Sequence, residues 1–170
     1  MTRLPRIVPG TCEATAAIEA RLIANRGSVS PLYQVLLHSV PVADGWEYFL
    51  TRLRQQLGLA PRLRELVILR IAVLNAAPYE FNAHRDHALA AGLSASEVDA
   101  LANDLRQSFT GTDSLVLDYT DLVTRNENID DDIHAALAIA FAPAQIVELT
   151  ALIAAYNMVS RVLRALDIEG

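Results

Sequence analysis

At 170 residues the chain fits one folded domain, and 52% hydrophobic residues with only 7 Gly and 7 Pro leave little for disordered tails. The net charge of −6, carried against 14 cations that are all arginine, gives no basic stripe to neutralise phosphates and argues against a nucleic-acid partner. A single cysteine, Cys12, excludes an intramolecular disulfide and a thiolate cluster for zinc or iron–sulfur, so a reducing cytoplasm is the expected location.

Taken in chain order, the opening "MTRLPRIVPG" holds two prolines and no apolar stretch of about 7 to 15 residues, so it does not read as a signal peptide. Apolar residues then recur at three- and four-residue spacing, and alternation of the β type is nearly missing, which predicts an all-helical chain. "EATAAIEARLIAN" (13–25) forms a first helix closed near Gly27, and Ser30-Pro31 opens a second in cap-then-proline order. "DGWEYFLTRLRQQLG" (44–58) is a third, with Asp44 as its expected cap. The run 62–76 is a fourth, Pro78 starts a fifth that stops at Gly92, and "SASE" (94–97) is a capping box for a sixth reaching about Gln107. "GTDSLVLDYTDLVTRN" gives a seventh, the acidic turn 130–132 favours the start of an eighth, and Ala142-Pro143 begins a last helix to about Leu166. The expectation is a single-domain, all-α bundle of about eight helices. The longest nearly apolar run, 66–77, is shorter than the roughly 20 residues of a membrane crossing and contains Arg70, so no membrane partner is expected.

The stretch "NAAPYEFNAHRDHALAAG" (75–92) carries the polar residues that packing alone does not require. At about 100° per residue, Glu80, His84, His87 and Ala91 share one helix face, framed by alanines that leave room for a small molecule. Glu65, on the preceding helix, falls on the stripe of Leu69, Ala72 and Ala76; it is either a proton carrier or half of an ion pair, for example with Arg161 or Arg164. Two histidines and a carboxylate raise the question of a metal, but Glu80 and His87 are separated by about 10.5 Å along a helix, too far for all three to meet one ion; two of them with Glu65 could, yet no metal site is expected. No nucleophile elbow or phosphate-cradling glycine loop occurs, which leaves proton transfer by imidazole and carboxylate, with no cofactor.

The residues "RLRELVILRIAVLNAAPYEFNAHRDHALAAGLSASEVDAL" (62–101), with Glu, the Asn-x-x-x-Tyr turn, His and the Ala-Gly-Leu-Ser ending in order, resemble the carboxymuconolactone decarboxylase and alkylhydroperoxidase superfamily. Segments 30–46 and 156–166 resemble its flanking parts. The resemblance implies an all-α fold assembled as a homo-oligomer (dimer, trimer or hexamer), with a site near a helix interface. In the peroxidase branch it implies a relay of Glu, two cysteines and His. Here the relay's Glu falls on Glu65 and its His on His84, while Ala77 and Glu80 stand where the cysteines would be, so thiol peroxidase activity is not expected. The decarboxylase branch needs no thiols. His84 is then the expected proton donor, since an imidazole's unperturbed pKa of about 6.5 keeps both forms in reach at neutral pH. Glu80 is the expected partner of the imidazole or a second acid, Glu65 sets the local charge, and Tyr79, His87 and Arg70 are the expected contacts to a small carboxylated or lactone substrate. A non-catalytic helical module of the same superfamily and a metal-dependent peroxide or redox enzyme remain as alternatives.

Overall fold

Proline and cap residues set most of the helix starts. The computed structural model describes residues 2–169, and among them it contains nine α-helices and no β-strand; Met1 and Gly170 of the expected 1–170 domain lie outside the described residues. The helices are α1 (Ala16–Arg26), α2 (Pro31–Leu36), α3 (Val40–Gln55), α4 (Pro61–Leu74), α5 (Pro78–Ala90), α6 (Ala95–Ala102), α7 (Gly111–Arg125), α8 (Asp131–Ala140) and α9 (Pro143–Ala165). Pro31, Pro41, Pro61 and Pro78 all sit in first turns, where the missing N–H costs nothing and φ is already helical. Ser94 and Glu97 form the expected capping box, and Asp130 accepts from the Ile133 N–H.

Three boundaries differ from expectation. Residues 13–15 form a 3-10 turn ahead of α1. α3 begins at Val40, after the extended Ser39, with Pro41 inside the first turn; Asp44 is therefore no cap and pairs instead with Arg21. α6 stops at Ala102 because Asp104 turns left-handed at φ 57°, and only a 3-10 turn at 106–108 follows.

The chain divides into two compact units, one from residues up to 56 with those from 163 on, the other from residues 57–162. In the first, α3 packs on α1 and α2 around Ile18, Leu22, Leu32, Val35, Ala43, Leu50 and Leu53. Its buried Glu47 accepts from Arg21 Nε at 2.9 Å, Thr51 at 2.9 Å and Asn25 at 3.1 Å. Burial works to raise the Glu47 pKa, but these bonds outweigh it and hold the carboxyl below its ordinary range.

In the second unit α4 is the central helix, with every residue from Leu66 to Ala72 buried. α5, α6 and α7 pack around it. Leu66, Leu69, Ala88, Leu93, Val98, Leu101, Phe109 and Leu117 form one continuous apolar cluster there. Arg62, at the start of α4, binds Glu97 of α6 and Asp113 of α7 at 2.5 and 2.7 Å. Glu97, bonded by Arg62 and by the Ser94 backbone, has its pKa pulled down to about 2. α9 is fixed to α7 through Tyr119–Thr150 and Asn157–Thr124, and to the end of α4 through Asn75, which donates to Asn157 and Ser160. At its other end, Glu148 accepts from the Gly58 N–H at 2.8 Å and Gln145 donates to the Gly58 carbonyl at 3.2 Å. By length and composition α9 is apolar enough to cross a membrane, a property that the run 66–77 did not reveal, yet half of its most apolar window is buried as in a core helix.

Arg70 is 1% exposed. Its guanidinium grips Asp121 through two bonds of 2.6 Å and also binds Asp104, while Arg106 and Arg125 reach Asp121 from outside. Burial acts against the charge, but the two carboxylates outweigh it and keep Arg70 protonated. Asp121→Asn is expected to lower unfolding stability by about 3 kcal/mol, because one side of a buried ion pair is then left uncompensated. Urea denaturation at pH 7 measures it.

Candidate functional site

The α4–α5 connection is a tight turn in which Ala76 adopts φ 48° and the Ala77 N–H bonds back to Ala72 at 2.8 Å. It folds α5 antiparallel onto α4. Glu65 lies nine residues before the end of α4 and His84 six after the start of α5, about 14 and 9 Å along their helices. His84 Nδ1 and Glu65 Oε2 are 2.7 Å apart. A carboxylate can only accept, so the proton of this bond sits on Nδ1. Tyr156 of α9 closes the other side of the imidazole, edge to face at 5.3 Å.

His84 itself is buried, but its ring lies 5.7 Å from that of the exposed His87. The dyad is thus about one side chain below the surface.

Glu80 is one helical turn before His84 and does not orient it. Its carboxyl is 2% exposed, and neither oxygen has a hydrogen-bond partner. Burial alone raises its pKa to about 9, so at neutral pH it is a carboxylic acid carrying a proton. The expected partnership is therefore corrected: the carboxylate that holds the imidazole is Glu65, and Glu80 is a neutral acid beside it.

Of the remaining expected residues, Tyr79 is half-buried in the first turn of α5 and His87 borders the dyad. Arg70 does not join them. It lies five residues from Glu65, about 140° round α4, with its guanidinium occupied by Asp121 and Asp104. The bond that Glu65 makes is to His84. Among the described residues no group of three His, Cys, Asp or Glu side chains is placed to hold a metal ion. A separate open concavity of about 370 Å³ lies between α7 and α9, lined by Val123, Asn126, Ala154, Asn157 and Arg161, none of which belongs to the dyad.

Residues 40–112, which include Glu65, Glu80 and His84, match the Carboxymuconolactone decarboxylase family. That match spans 73 of the 170 residues, and the rest of the likeness is one of fold. Solved structures share its fold at low identity. An uncharacterized peroxidase-related protein from Silicibacter sp. TM1040 is 17% identical with a TM-score of 0.84, covering 98% of this chain and 90% of that one. A peroxidase-related protein with an alkylhydroperoxidase AhpD core, from Ralstonia eutropha JMP134, is 16% identical with a TM-score of 0.84, covering 99% and 91%. A variant of the debrominase Bmp8, solved with 2,3,4-tribromopyrrole, is 12% identical with a TM-score of 0.79, covering 96% and 89%. No curated protein matches the chain in sequence.

The two positions that the resemblance maps to the relay's cysteines hold Ala77, buried at the start of α5, and Glu80. The one thiol, on Cys12, is exposed and lies in the other unit. Two features escaped the sequence. Tyr156 lies in the segment that resembles the superfamily's flank, but nothing in its spacing tied it to His84. The Glu65–His84 pair did carry a signal: the two residues lie on consecutive helices on either side of the short 75–77 connection, and helices joined by a short turn pack antiparallel.

Glu80 predicts an unusual pH dependence. The unfolded chain releases this proton near pH 4 and the folded chain keeps it to about pH 9, so the unfolded state binds fewer protons across that window and stability falls as pH rises. The cost at pH 7 is on the order of 3 kcal/mol. Glu80→Gln is therefore expected to be about 1–3 kcal/mol more stable than the parent at pH 8 and little different at pH 5. Denaturant unfolding at the two pH values checks it, and parallel pH profiles of parent and variant would contradict it.

Proposed function

We propose that the chain is a cofactor-independent enzyme, a lyase (decarboxylase) or an isomerase, that moves a proton on a small carboxylated or lactone substrate. The observation that carries this reading is the 2.7 Å His84–Glu65 dyad beside an acid, Glu80, whose two buried oxygens have no partner in the protein. Glu65 fixes Nδ1, and His84 Nε2 gives or takes the proton at the reacting carbon. In a decarboxylation the bond to the leaving carboxylate breaks, carbon dioxide departs, and the electron pair left on carbon takes the proton from the imidazolium. In an isomerisation the imidazole removes a proton from one carbon and returns it to another. In either reaction Glu80 donates a hydrogen bond to the oxygen that gains charge, and Tyr79 and His87 border the substrate.

A purely structural ion-pair network would satisfy its buried polar groups; Glu80 leaves two oxygens open, which supports catalysis over a non-catalytic module. The debrominase with a similar fold is consistent with small-molecule chemistry on this scaffold. Thiol peroxidase activity is absent from this reading, because a sulfenic acid needs a thiolate to form it and a second thiol to resolve it. The same reading takes the protein as a cytoplasmic homo-oligomer whose partner is a small molecule, not nucleic acid or a membrane; the exposure of Ile139 at 89% and Val147 at 68% supports self-association.

His84→Gln is expected to keep the fold, seen as an unchanged far-ultraviolet circular dichroism spectrum, and to lose at least about 100-fold in kcat/KM. The assay is a screen of small lactones and oxo-acids for carbon dioxide release and for proton exchange with solvent. Full turnover in that variant would remove His84 from the mechanism.

A further inference from the structure

The open concavity of about 370 Å³ between α7 and α9 lies within the second unit and shares no lining residue with the His84–Glu65 dyad. Small-molecule sites span roughly 300–1,000 Å³, so there is space for a ligand of one ring. Of the five lining residues Arg161 alone is charged, and in a chain of net charge −6 this wall therefore presents a cation.

Arg161 is exposed near the end of α9, and among the described residues nothing bonds or pairs with it. By contrast, Arg62, Arg70, Arg85, Arg106 and Arg125 of the same unit all meet carboxylates at 3.6 Å or less. At the end of α7 the Val123 carbonyl accepts from the Asn126 N–H and the Leu122 carbonyl from the Glu127 N–H, so both are engaged within their own helix end. Asn157, only 5% exposed, is the buried member of the lining. Its Nδ2 donates to Thr124 at 2.9 Å and to the Ile153 carbonyl at 3.0 Å, and its Oδ1 accepts from Asn75 at 2.9 Å. These bonds fix the amide and leave Oδ1 one further acceptor position. Val123 and Ala154 add an apolar wall.

An unpaired planar guanidinium matches a planar carboxylate, which it can grip through two parallel N–H bonds. A phosphate suits the place less well. It carries more than one negative charge, and Asn126, the residue that ends α7, brings the negative end of that helix to the same lining. We propose that the concavity is a binding site for a small monocarboxylate with a compact apolar body, its carboxylate paired with Arg161 and its body against Val123 and Ala154. Occupancy of this place is independent of the chemistry assigned to His84.

Benzoate, uncharged benzamide and inorganic phosphate, titrated in turn into the isotope-labelled full chain, are the probes, with the side-chain N–H signals of Arg161, Asn126 and Asn157 as NMR reporters. Benzoate is expected to saturate these signals with a Kd on the order of 1 mM, and benzamide and phosphate to bind at least about tenfold more weakly. Arg161→Gln, at an exposed position, is expected to keep the circular dichroism spectrum and to weaken benzoate binding about tenfold. Arg161→Lys, which keeps the charge without the fork, is expected to fall between. Ala154→Leu, also at an exposed position, fills the concavity and is expected to weaken benzoate binding with the fold intact. Equal binding of benzamide, phosphate binding as tight as that of benzoate, benzoate binding unchanged in Arg161→Gln, or no saturable shift at all would each overturn the inference. So would benzoate binding that His84→Gln removes and Arg161→Gln spares, which puts the carboxylate at the dyad instead.

Discussion

The site depends on one packing relation, the antiparallel return of α5 along α4. A three-residue connection, 75–77, leaves little freedom in where the two helices meet. That is how a glutamate and a histidine 19 positions apart meet at 2.7 Å. The rest of the unit serves this registration. α4 is buried along Leu66–Ala72, α6 and α7 hold it through Arg62 and the apolar cluster around Leu69 and Phe109, and α9 presents Tyr156 to the imidazole.

The two carboxylates of the site illustrate how environment divides one functional group into two roles. Glu65 has an imidazole as its partner and stays near the surface. Glu80, one turn closer to the hinge of the helical hairpin, is buried without a partner and keeps its proton. The first can hold and orient a cation-forming ring; the second can donate a hydrogen bond that an ionised carboxylate cannot.

Legibility in the sequence followed the range of the interactions involved. Helix starts at Pro31, Pro61 and Pro78 and the Ser94–Glu97 box are set by neighbours within a few residues, and they appear where the spacing predicts. α3 was misjudged at its start because a proline in a first turn looks, in sequence alone, like one in a loop. The fate of Arg70 was not legible. Its partners Asp121 and Asp104 lie 51 and 34 residues further on, and no local pattern distinguishes an arginine held by distant carboxylates from one that waits for a substrate. Glu80 was read as a partner of His84 from i, i+4 spacing, which shows that two side chains share a face and not that they touch.

The clamp on Gly58 has a consequence for how this fold can drift. Glu148 and Gln145 grasp the backbone N–H and C=O of residue 58, and a Cβ built there would come no nearer than 3.4 Å to the Glu148 carboxylate, an ordinary contact. The link ahead of α4 is therefore recognised by its peptide and not by its side chain. Residue identity at 58 is free to wander, while the two side chains 87 and 90 positions downstream carry the whole specificity of the join.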